Sequence, residues 1–213
     1  MDKRIEKTIE NLKKNNMQAF FVKGKEEISA LVKDMLNKGD VISCGGSVTL
    51  SECGVTDLMR SGEYNFLDRD VARQNGEDLN DLYRKTFFAD AFLTSANAVT
   101  EKGELINVDG NGNRVAAITY GPKKVICIVG VNKLVESVED GFKRVKTVAA
   151  PKNAVRLNTN TPCRELGHCI YAEDAWHKGC TADDRLCVSF SVTGYQRDKN
   201  RIKVIICDDS LGY

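Results

Sequence analysis

The sequence predicts an α/β fold in which a parallel β-sheet is covered by helices. Short apolar runs of strand length recur along the chain, and amphipathic segments with helical spacing separate them. Glycine or polar residues follow several of these runs, as is typical of turns between strands and helices. Alternation of strand and helix requires crossover connections, and such connections join parallel strands.

The alternation begins in the N-terminal third of the chain. Its predicted elements are a helix at residues 2–15, a strand at 19–22, a helix at 26–36, a strand at 41–44 and a helix at 48–59 that Gly54 interrupts. The first helix is predicted because Ile5, Ile9 and Leu12 fall on one face. The strands are predicted because they are short apolar runs closed by glycine or polar residues.

The rest of the chain continues the pattern less regularly. Residues 68–80 are polar and predict a loop that leads into a helix carrying Leu79, Leu82, Tyr83 and Phe87. Strands are predicted at residues 91–94, 104–107, 124–129 and 201–207, and helices at residues 114–120 and 134–148. Residues between Leu157 and Val188 show neither helical nor strand periodicity. We expect one domain over residues 1–213, with a cysteine-bearing loop at 158–188.

Composition excludes several classes of protein. The chain has 213 residues, with 31 basic and 30 acidic side chains, so it lacks the excess positive charge that general binding of nucleic acid or acidic membranes requires. Eight cysteines are too few for a small disulfide-built domain of this length. The first residues are charged, and no run of 18 apolar residues occurs. We therefore expect a cytoplasmic protein without membrane insertion.

Two polar segments follow predicted strands and are candidate binding sites. Gly45, Gly46 and Ser47 come directly after the strand at 41–44, where unpaired backbone N–H groups would form an anion cradle. The alternative is a tight turn in which Ser47 or Thr49 caps the next helix. The segment lacks the GxGxxG pattern of dinucleotide-binding proteins and the lysine of a P-loop, which disfavours both dinucleotides and nucleoside triphosphates as ligands. No nicotinamide or flavin motif is present.

The second polar segment follows the strand at 91–94. Ser95, Asn97 and Arg114 are candidate substrate contacts, since Asn97 can bind a hydroxyl or carbonyl and Arg114 a carboxylate or phosphate. Glu101 is the candidate catalytic acid, base or nucleophile. The alternative is a hairpin with Asx turns in which Glu101 is a solvated surface charge. Both segments would meet at the carboxyl edge of the sheet, where ligands bind in doubly wound folds.

Half of the cysteines lie in the segment that lacks periodicity. These are Cys163, Cys169, Cys180 and Cys187, with the spacing C-x5-C-x10-C-x6-C. Thiolates that converge from a loop bind zinc or an iron–sulfur cluster, and His168 and His177 offer nitrogen ligands for a zinc ion. Free thiols, or a disulfide formed on oxidation, are the alternatives, because no pair has the C-x2-C spacing of familiar metal sites. Arg185 is either a partner of these thiolates or an exposed loop residue.

Three stretches of the sequence resemble one known family. They are FFADAFLTSANAVTEKGELINVDGNGNRVAAITYGPKKVICIVGVNKLVE, the GGSVTL segment, and NTNTPCRELGHC with the later DDRLC. All three resemble the LUD domain, a lactate-utilisation family. The resemblance implies a Rossmann-like parallel sheet with helices on both faces, similar to the fold of ribose-5-phosphate isomerases and CoA transferases. By the same comparison, residues 170–179 are an insertion between the second and third clustered cysteines.

The resemblance also implies a function. We expect an accessory protein of lactate or related 2-hydroxy acid utilisation, which binds a small anionic metabolite and works with iron–sulfur partner proteins. The alternative is a free-standing transferase or isomerase-like enzyme acting on a phosphorylated or carboxylated metabolite. Asn97 replaces the acid that related sugar-phosphate isomerases carry, and an amide transfers no proton at neutral pH. In a CoA-transferase-like reaction Glu101 would take the carboxylate role.

Overall fold

The computed structural model describes residues 2–213, which form ten strands in two sheets. The strands are β1 (Gln18–Val22), β2 (Val41–Cys44), β3 (Asn65–Phe66), β4 (Ala91–Thr94), β5 (Ala98–Thr100), β6 (Leu105–Asp109), β7 (Lys124–Gly130), β8 (Leu134–Val135), β9 (Ser189–Thr193) and β10 (Ile202–Cys207). The larger sheet has six strands in the order β1-β10-β7-β4-β2-β3. Every pair in it is parallel, which confirms the predicted fold class.

The helices are short and lie between the strands. They are α1 (Lys3–Lys14), α2 (Ile28–Asp34), α3 (Val48–Glu52), α4 (Val55–Met59), α5 (Arg69–Gln74), α6 (Leu79–Lys85), α7 (Asn113–Thr119), α8 (Val138–Arg144), α9 (Ala150–Leu157) and α10 (Pro162–Leu166). A π-helix at Val145–Ala149 joins α8 to α9. Over residues 2–213, no helix combines the length and apolar character needed to cross a bilayer.

Helices cover both faces of the larger sheet because its inner strands alternate their buried side chains. In β10, Val204 and Ile206 pack with the helix α1 through Ile9 and Leu12. The neighbouring side chains of the same strand face the other way and pack with α2, α3 and α4. Strands that are buried on both faces read as continuous apolar runs, which is why the sequence predicts them well.

A second sheet, which the sequence did not predict, lies beside the first. Its order is β8-β5-β6-β9, and β6 pairs antiparallel with both β5 and β9. The helix α8 packs on it, with Phe142 against Ile106 and Val108. The single helix predicted at residues 134–148 is therefore wrong, since it begins as strand β8 and only then becomes α8 and the π-helix. A two-residue strand is too short to show alternation.

The loop predicted at residues 68–80 is also partly wrong. It contains the helix α5, which Asp68 caps by accepting a hydrogen bond from the Asp70 backbone N–H. Only Ala72 of this helix is buried, so no apolar stripe marks it in the sequence. The interruption predicted at Gly54 is confirmed: this residue has a φ of 70° and separates α3 from α4.

The cysteine-bearing segment is held to the second sheet by two side chains. Trp176 stacks on Phe142 with a centroid distance of 4.9 Å and contacts Phe190 edge to face. Lys146, in the π-helix, is buried and donates to the carbonyl oxygens of Tyr171, Asp174 and Ala175. An aromatic cluster and one buried ammonium thus order a segment that has little regular secondary structure.

The turn between β5 and β6 is fixed on the helix α1. The side chains of Asn11 and Asn15 donate to the backbone carbonyls of Glu101, Lys102 and Gly103. Gly103 has a φ of 80°, and a Cβ there would lie 2.5 Å from the Leu12 backbone nitrogen. This position therefore needs glycine both for its backbone conformation and for the close approach of the helix.

We expect Gly103→Ala to destabilise the protein more than Gly39→Ala. Gly39 has a similar φ of 85° but an open surrounding, so alanine there adds only the left-handed strain of about 1–2 kcal/mol. At Gly103 the contact with the α1 backbone adds about 1–3 kcal/mol. Denaturant unfolding of both variants measures the difference, and equal losses of unfolding free energy would contradict this account.

Candidate functional site

A cleft of about 480 Å³ lies at the carboxyl edge of the larger sheet. Three neighbouring strands end there, and the residues that follow them line it: Gly46–Thr49 after β2, Ser95–Asn97 after β4 and Lys133 after β7. The end of β6 and residues 183–188 of the cysteine-bearing segment form the opposite wall. The second sheet thus closes a ligand-sized space over the strand ends.

Lys133 joins the three loops at the floor of the cleft. Its side chain is almost fully buried, and its Nζ donates to the Thr49 hydroxyl at 2.8 Å and the Ser95 hydroxyl at 2.9 Å. No carboxylate of the described chain forms an ion pair with it. Burying an ammonium group with only hydroxyl partners costs free energy, because no negative charge compensates the loss of its hydration.

The surroundings of Lys133 disfavour its charged form. Burial, followed by the positive charges of Arg144 and Arg114, lowers the pKa of the Lys133 side chain from its ordinary 10.5 to about 7. An amine with this pKa exists in both protonation states near neutral pH. It can therefore bind an anion as an ammonium or act as a base or nucleophile as a free amine.

The cleft carries more positive than negative side chains. Its basic residues are Arg69, Arg73, Arg114, Lys133, Arg156 and Arg185, and its acidic residues are Asp109, Asp183 and Asp184. The Arg69 guanidinium has only a loose ion pair, with 3.8 Å between its Nε and the Asp70 carboxylate. It lies against Gly46, where a Cβ would be 2.7 Å from the guanidinium nitrogens. Glycine at this position therefore leaves room for the arginine.

Ser95, Asn97 and Arg114, all predicted from the sequence, line the cleft together. Arg114 uses its donors within the protein: it binds the Asp109 carboxylate at 2.8 Å, the Asn97 Oδ1 at 2.8 Å and the Val108 carbonyl at 2.7 Å. Asn97 Oδ1 also accepts from the Val108 N–H, so its amide group is fixed in orientation. The structure therefore gives Arg114 a positioning role.

The predicted anion cradle is only partly in the cleft. Gly46 and Ser47 line it, whereas the Gly45 N–H donates to the Leu93 carbonyl within the sheet edge. The Ser47 hydroxyl accepts a bond from the Leu50 N–H and so caps the helix α3. The structure thus shows the capping alternative at Ser47, a residue that also lines the cleft.

Glu101, the predicted catalytic residue, lies outside the cleft. Its carboxylate forms ion pairs with Lys7 at 2.9 Å and Arg4 at 2.7 Å, on the helix α1. Hydrogen bonds from Lys7 and then Arg4 lower the pKa of this carboxyl group. The turn containing Glu101 is fixed on α1, which is why the structure does not bring it to Ser95 and Asn97 in the cleft.

All four clustered cysteines line a second, small cavity beside the cleft. Each is a free thiol, and no three of the described Cys, His, Asp and Glu side chains are placed to hold a single metal ion. Arg185 reaches this cavity, with its Nε at 2.8 Å from the Cys187 carbonyl and 3.4 Å from the Cys187 sulfur. Because Arg185 and Leu186 line both cavities, the two sites share a wall.

Sequence reasoning missed the most buried cation of the cleft. Lys133 follows β7 as Ser47 follows β2 and Asn97 follows β4, so the polar pair Asn132-Lys133 after the most apolar strand was the available signal. Arg69, Arg73 and Arg156 were missed for a different reason. They lie on helices or in polar segments where a basic residue is ordinarily a solvated surface charge.

The sequence of this chain matches one protein-family model. It is the model of the LUD domain, and the match covers residues 5–207. The chain therefore belongs to the LUD-domain family, which is associated with lactate utilisation. No curated protein sequence matches the chain.

Several solved structures resemble this chain in fold, at low sequence identity. A DUF162 family protein from Deinococcus radiodurans has a TM-score of 0.50 and 16% identity, with 96% of this chain and 94% of that chain covered. Ribose 5-phosphate isomerase A from Methanocaldococcus jannaschii has a TM-score of 0.40 and 16% identity, covering 79% and 78%. A chain of the eIF2B-beta2-delta2 complex of C. thermophilum has a TM-score of 0.45 and 16% identity, covering 85% and 55%. The likeness to the Deinococcus protein is a likeness of fold.

We expect the depressed pKa of Lys133 to make stability rise with pH. The unfolded chain holds the proton of this side chain up to its ordinary pKa of 10.5, whereas the folded chain releases it near 7. Protonation therefore favours unfolding, and the contribution of this residue to stability increases from about pH 7 towards 10.5 and is flat below pH 7.

The measurement is the unfolding free energy of the wild type minus that of Lys133→Met between pH 6 and 9.5, with a reductant present. Methionine has a similar length but no titrating group, so the subtraction removes all other titrations. This difference in unfolding free energy should become more positive as the pH rises above 7. A difference that stays constant over the whole range would show that the ammonium is not destabilised by burial.

Proposed function

We propose that this protein binds a small organic anion in the cleft at the carboxyl edge of the larger sheet and acts in the utilisation of lactate or a related 2-hydroxy acid. One observation carries the proposal: Lys133 is buried at the floor of the cleft with hydroxyl partners and no carboxylate. A carboxylate or phosphate group at this point would supply the missing counter-charge.

The surrounding groups support an anionic ligand with polar substituents. Arg69 has donors beyond its loose pair with Asp70, and its planar guanidinium suits a carboxylate or phosphate. Asn97 has its Oδ1 occupied by Val108 and Arg114, so its amide N–H₂ is the group oriented for a ligand hydroxyl or carbonyl. A cation at one end and an amide donor at the other fit a 2-hydroxy or 2-oxo acid.

The association of the LUD-domain family with lactate utilisation supports the same ligand class. In such a role the protein is an accessory subunit that works with iron–sulfur partner proteins of a lactate oxidation system. The cleft holds the metabolite, and the partners carry the electrons. The chain itself has no nicotinamide or flavin motif in its sequence.

A transferase or isomerase-like enzyme is the second candidate, favoured by the same lysine. With a pKa of about 7, the Lys133 amine is available as a general base or nucleophile at neutral pH. It would act on a phosphorylated or carboxylated metabolite in the same cleft. Glu101 takes no part in either proposal, because its carboxylate is paired with α1 outside the cleft.

We expect lactate, pyruvate or inorganic phosphate to bind the wild-type protein more tightly than Lys133→Met. Loss of a buried charge-assisted contact should weaken binding by about tenfold or more. Isothermal titration calorimetry with each of the three anions measures the affinity at pH 7 and at pH 8.5, where the lysine is largely neutral. Binding of lactate and pyruvate, whose own charge does not change over this range, should also weaken at the higher pH in the wild type and stay constant in the variant.

Glu101→Gln is the matched control, since it removes a charge of the same chain outside the cleft. Its affinity for the anion should stay within about twofold of the wild type. Equal binding by the wild type and Lys133→Met would overturn the anion site. Conversion of a bound anion by the isolated chain, abolished in Lys133→Met, would favour the enzyme over the accessory protein.

A further inference from the structure

We propose that the four clustered thiols of this chain hold an iron–sulfur cluster in the small cavity beside the cleft. The ligands are Cys163, Cys169, Cys180 and Cys187. The inference is independent of the proposed anion site, because it rests on a different cavity and on different side chains.

The fold brings the four cysteines together from separate parts of the chain. Cys163 lies in α10, Cys169 is buried in the turn after it, Cys180 follows the insertion, and Cys187 precedes β9. All four line one cavity whose surface is almost wholly apolar. Four cysteines that line one cavity form an all-sulfur ligand set. Iron–sulfur clusters and structural zinc ions use such a set.

All four candidate ligands are thiols, which is the donor set of an iron–sulfur cluster. Among the described residues, no three Cys, His, Asp or Glu side chains are already placed around one metal ion, so the geometry of a single-ion site is not preformed. A zinc ion needs four donors at about 2.3 Å from one centre. In a four-iron cluster each thiolate binds a different iron, so the four cysteine sulfurs lie further apart than they do around a single zinc ion. Neither histidine of the chain lines the cavity, which leaves the donor set purely sulfur.

The charges around the cavity suit a negatively charged centre. Four thiolates and a cluster carry a net negative charge, which needs nearby cations or N–H donors. Arg185 places its Nε 3.4 Å from the Cys187 sulfur, and the buried Lys146 also lines the cavity. No carboxylate is among the described lining residues. Arg185 therefore places a positive charge beside one of the thiols, and no described carboxylate lines the cavity to repel a thiolate-bound cluster.

The segment must open slightly as the cluster binds. The cavity measures about 20 Å³, which is the room of a single water molecule. Residues 170–179 form turns rather than strands or helices, so moving outwards breaks no strand pairing, although the bonds from Lys146 to this stretch must adjust. Trp176, in this stretch, stacks on Phe142 and is the only tryptophan in the sequence. Its fluorescence therefore reports on the site.

The shared wall places such a cluster next to the anion cleft. Arg185 and Leu186 line both cavities, and Ala150 does so from the other side. A cluster held by Cys187 would therefore be separated from a bound anion by little more than one side chain. This juxtaposition is what an electron-handling role for the chain itself would require.

The test is anaerobic purification of the full chain, followed by reconstitution with ferrous iron and sulfide. We expect visible absorbance from sulfur-to-iron charge transfer, an electron paramagnetic resonance signal in one redox state, and iron and sulfide in the two-to-two or four-to-four ratio of cysteine-bound clusters. Trp176 fluorescence should change as the absorbance grows, because Trp176 lies in the stretch between Cys169 and Cys180 that must move.

Each of the variants Cys163→Ala, Cys169→Ala, Cys180→Ala and Cys187→Ala should bind about tenfold less iron per chain or lose it entirely. The matched control is Cys53→Ala, which removes a buried thiol packed in the sheet core far along the chain and should load like the wild type. Circular dichroism confirms that each variant is folded before loading is compared.

Three results would overturn the proposal. They are a folded protein that stays colourless and free of iron after reconstitution, equal loading by the four variants and Cys53→Ala, and stoichiometric zinc that iron and sulfide do not replace. Iron loading and anion binding are measured separately. A protein that binds iron but not the anion, or the anion but not iron, therefore supports one of the two proposals and contradicts the other.

Discussion

The Lys133 ammonium is the interaction on which the site depends, because it binds the loops that follow three neighbouring strands. Thr49 follows β2, Ser95 follows β4 and Lys133 itself follows β7, so one nitrogen fixes the relative positions of three strand ends. Parallel strands bring their carboxyl ends to one edge, and the lysine turns that edge into a defined surface. The cost of burying a cation without a carboxylate is lowered by its reduced pKa.

Two arginines, Arg114 and Arg144, support this arrangement with hydrogen bonds to neighbouring residues of the protein. Arg114 ties Asn97 to the end of β6, and Arg144 donates to the Asn97 carbonyl at 2.6 Å and the Asn132 carbonyl at 3.1 Å. Both positive charges also act on Lys133 and lower its pKa. Arg114 and Arg144 thus use their donors within the protein, whereas Arg69 has only its loose ion pair with Asp70.

The sequence predicts the strands that are buried on both faces of the sheet. It does not predict very short strands, or residues whose role depends on contacts with distant parts of the chain. The strands β4, β7 and β10 are buried on both faces and read as continuous apolar runs. The second sheet was missed because β5 and β8 have three and two residues and β9 is half-exposed, so none of them shows alternation. The polar strand ends identified the edge that carries the cleft. The importance of Lys133 was not readable, because its burial comes from neighbours distant in sequence.

The π-helix at Val145–Ala149 faces two sites at once. Val145 and Ala149 line the cleft, whereas Lys146 turns away and is held by three carbonyl oxygens of the cysteine-bearing segment. Removing residues 170–179 would take away those acceptors and leave a buried ammonium with no partner, at a cost no small domain tolerates easily. Lys146 and residues 170–179 are therefore coupled: a variant that lacks this stretch would also need a different residue at position 146.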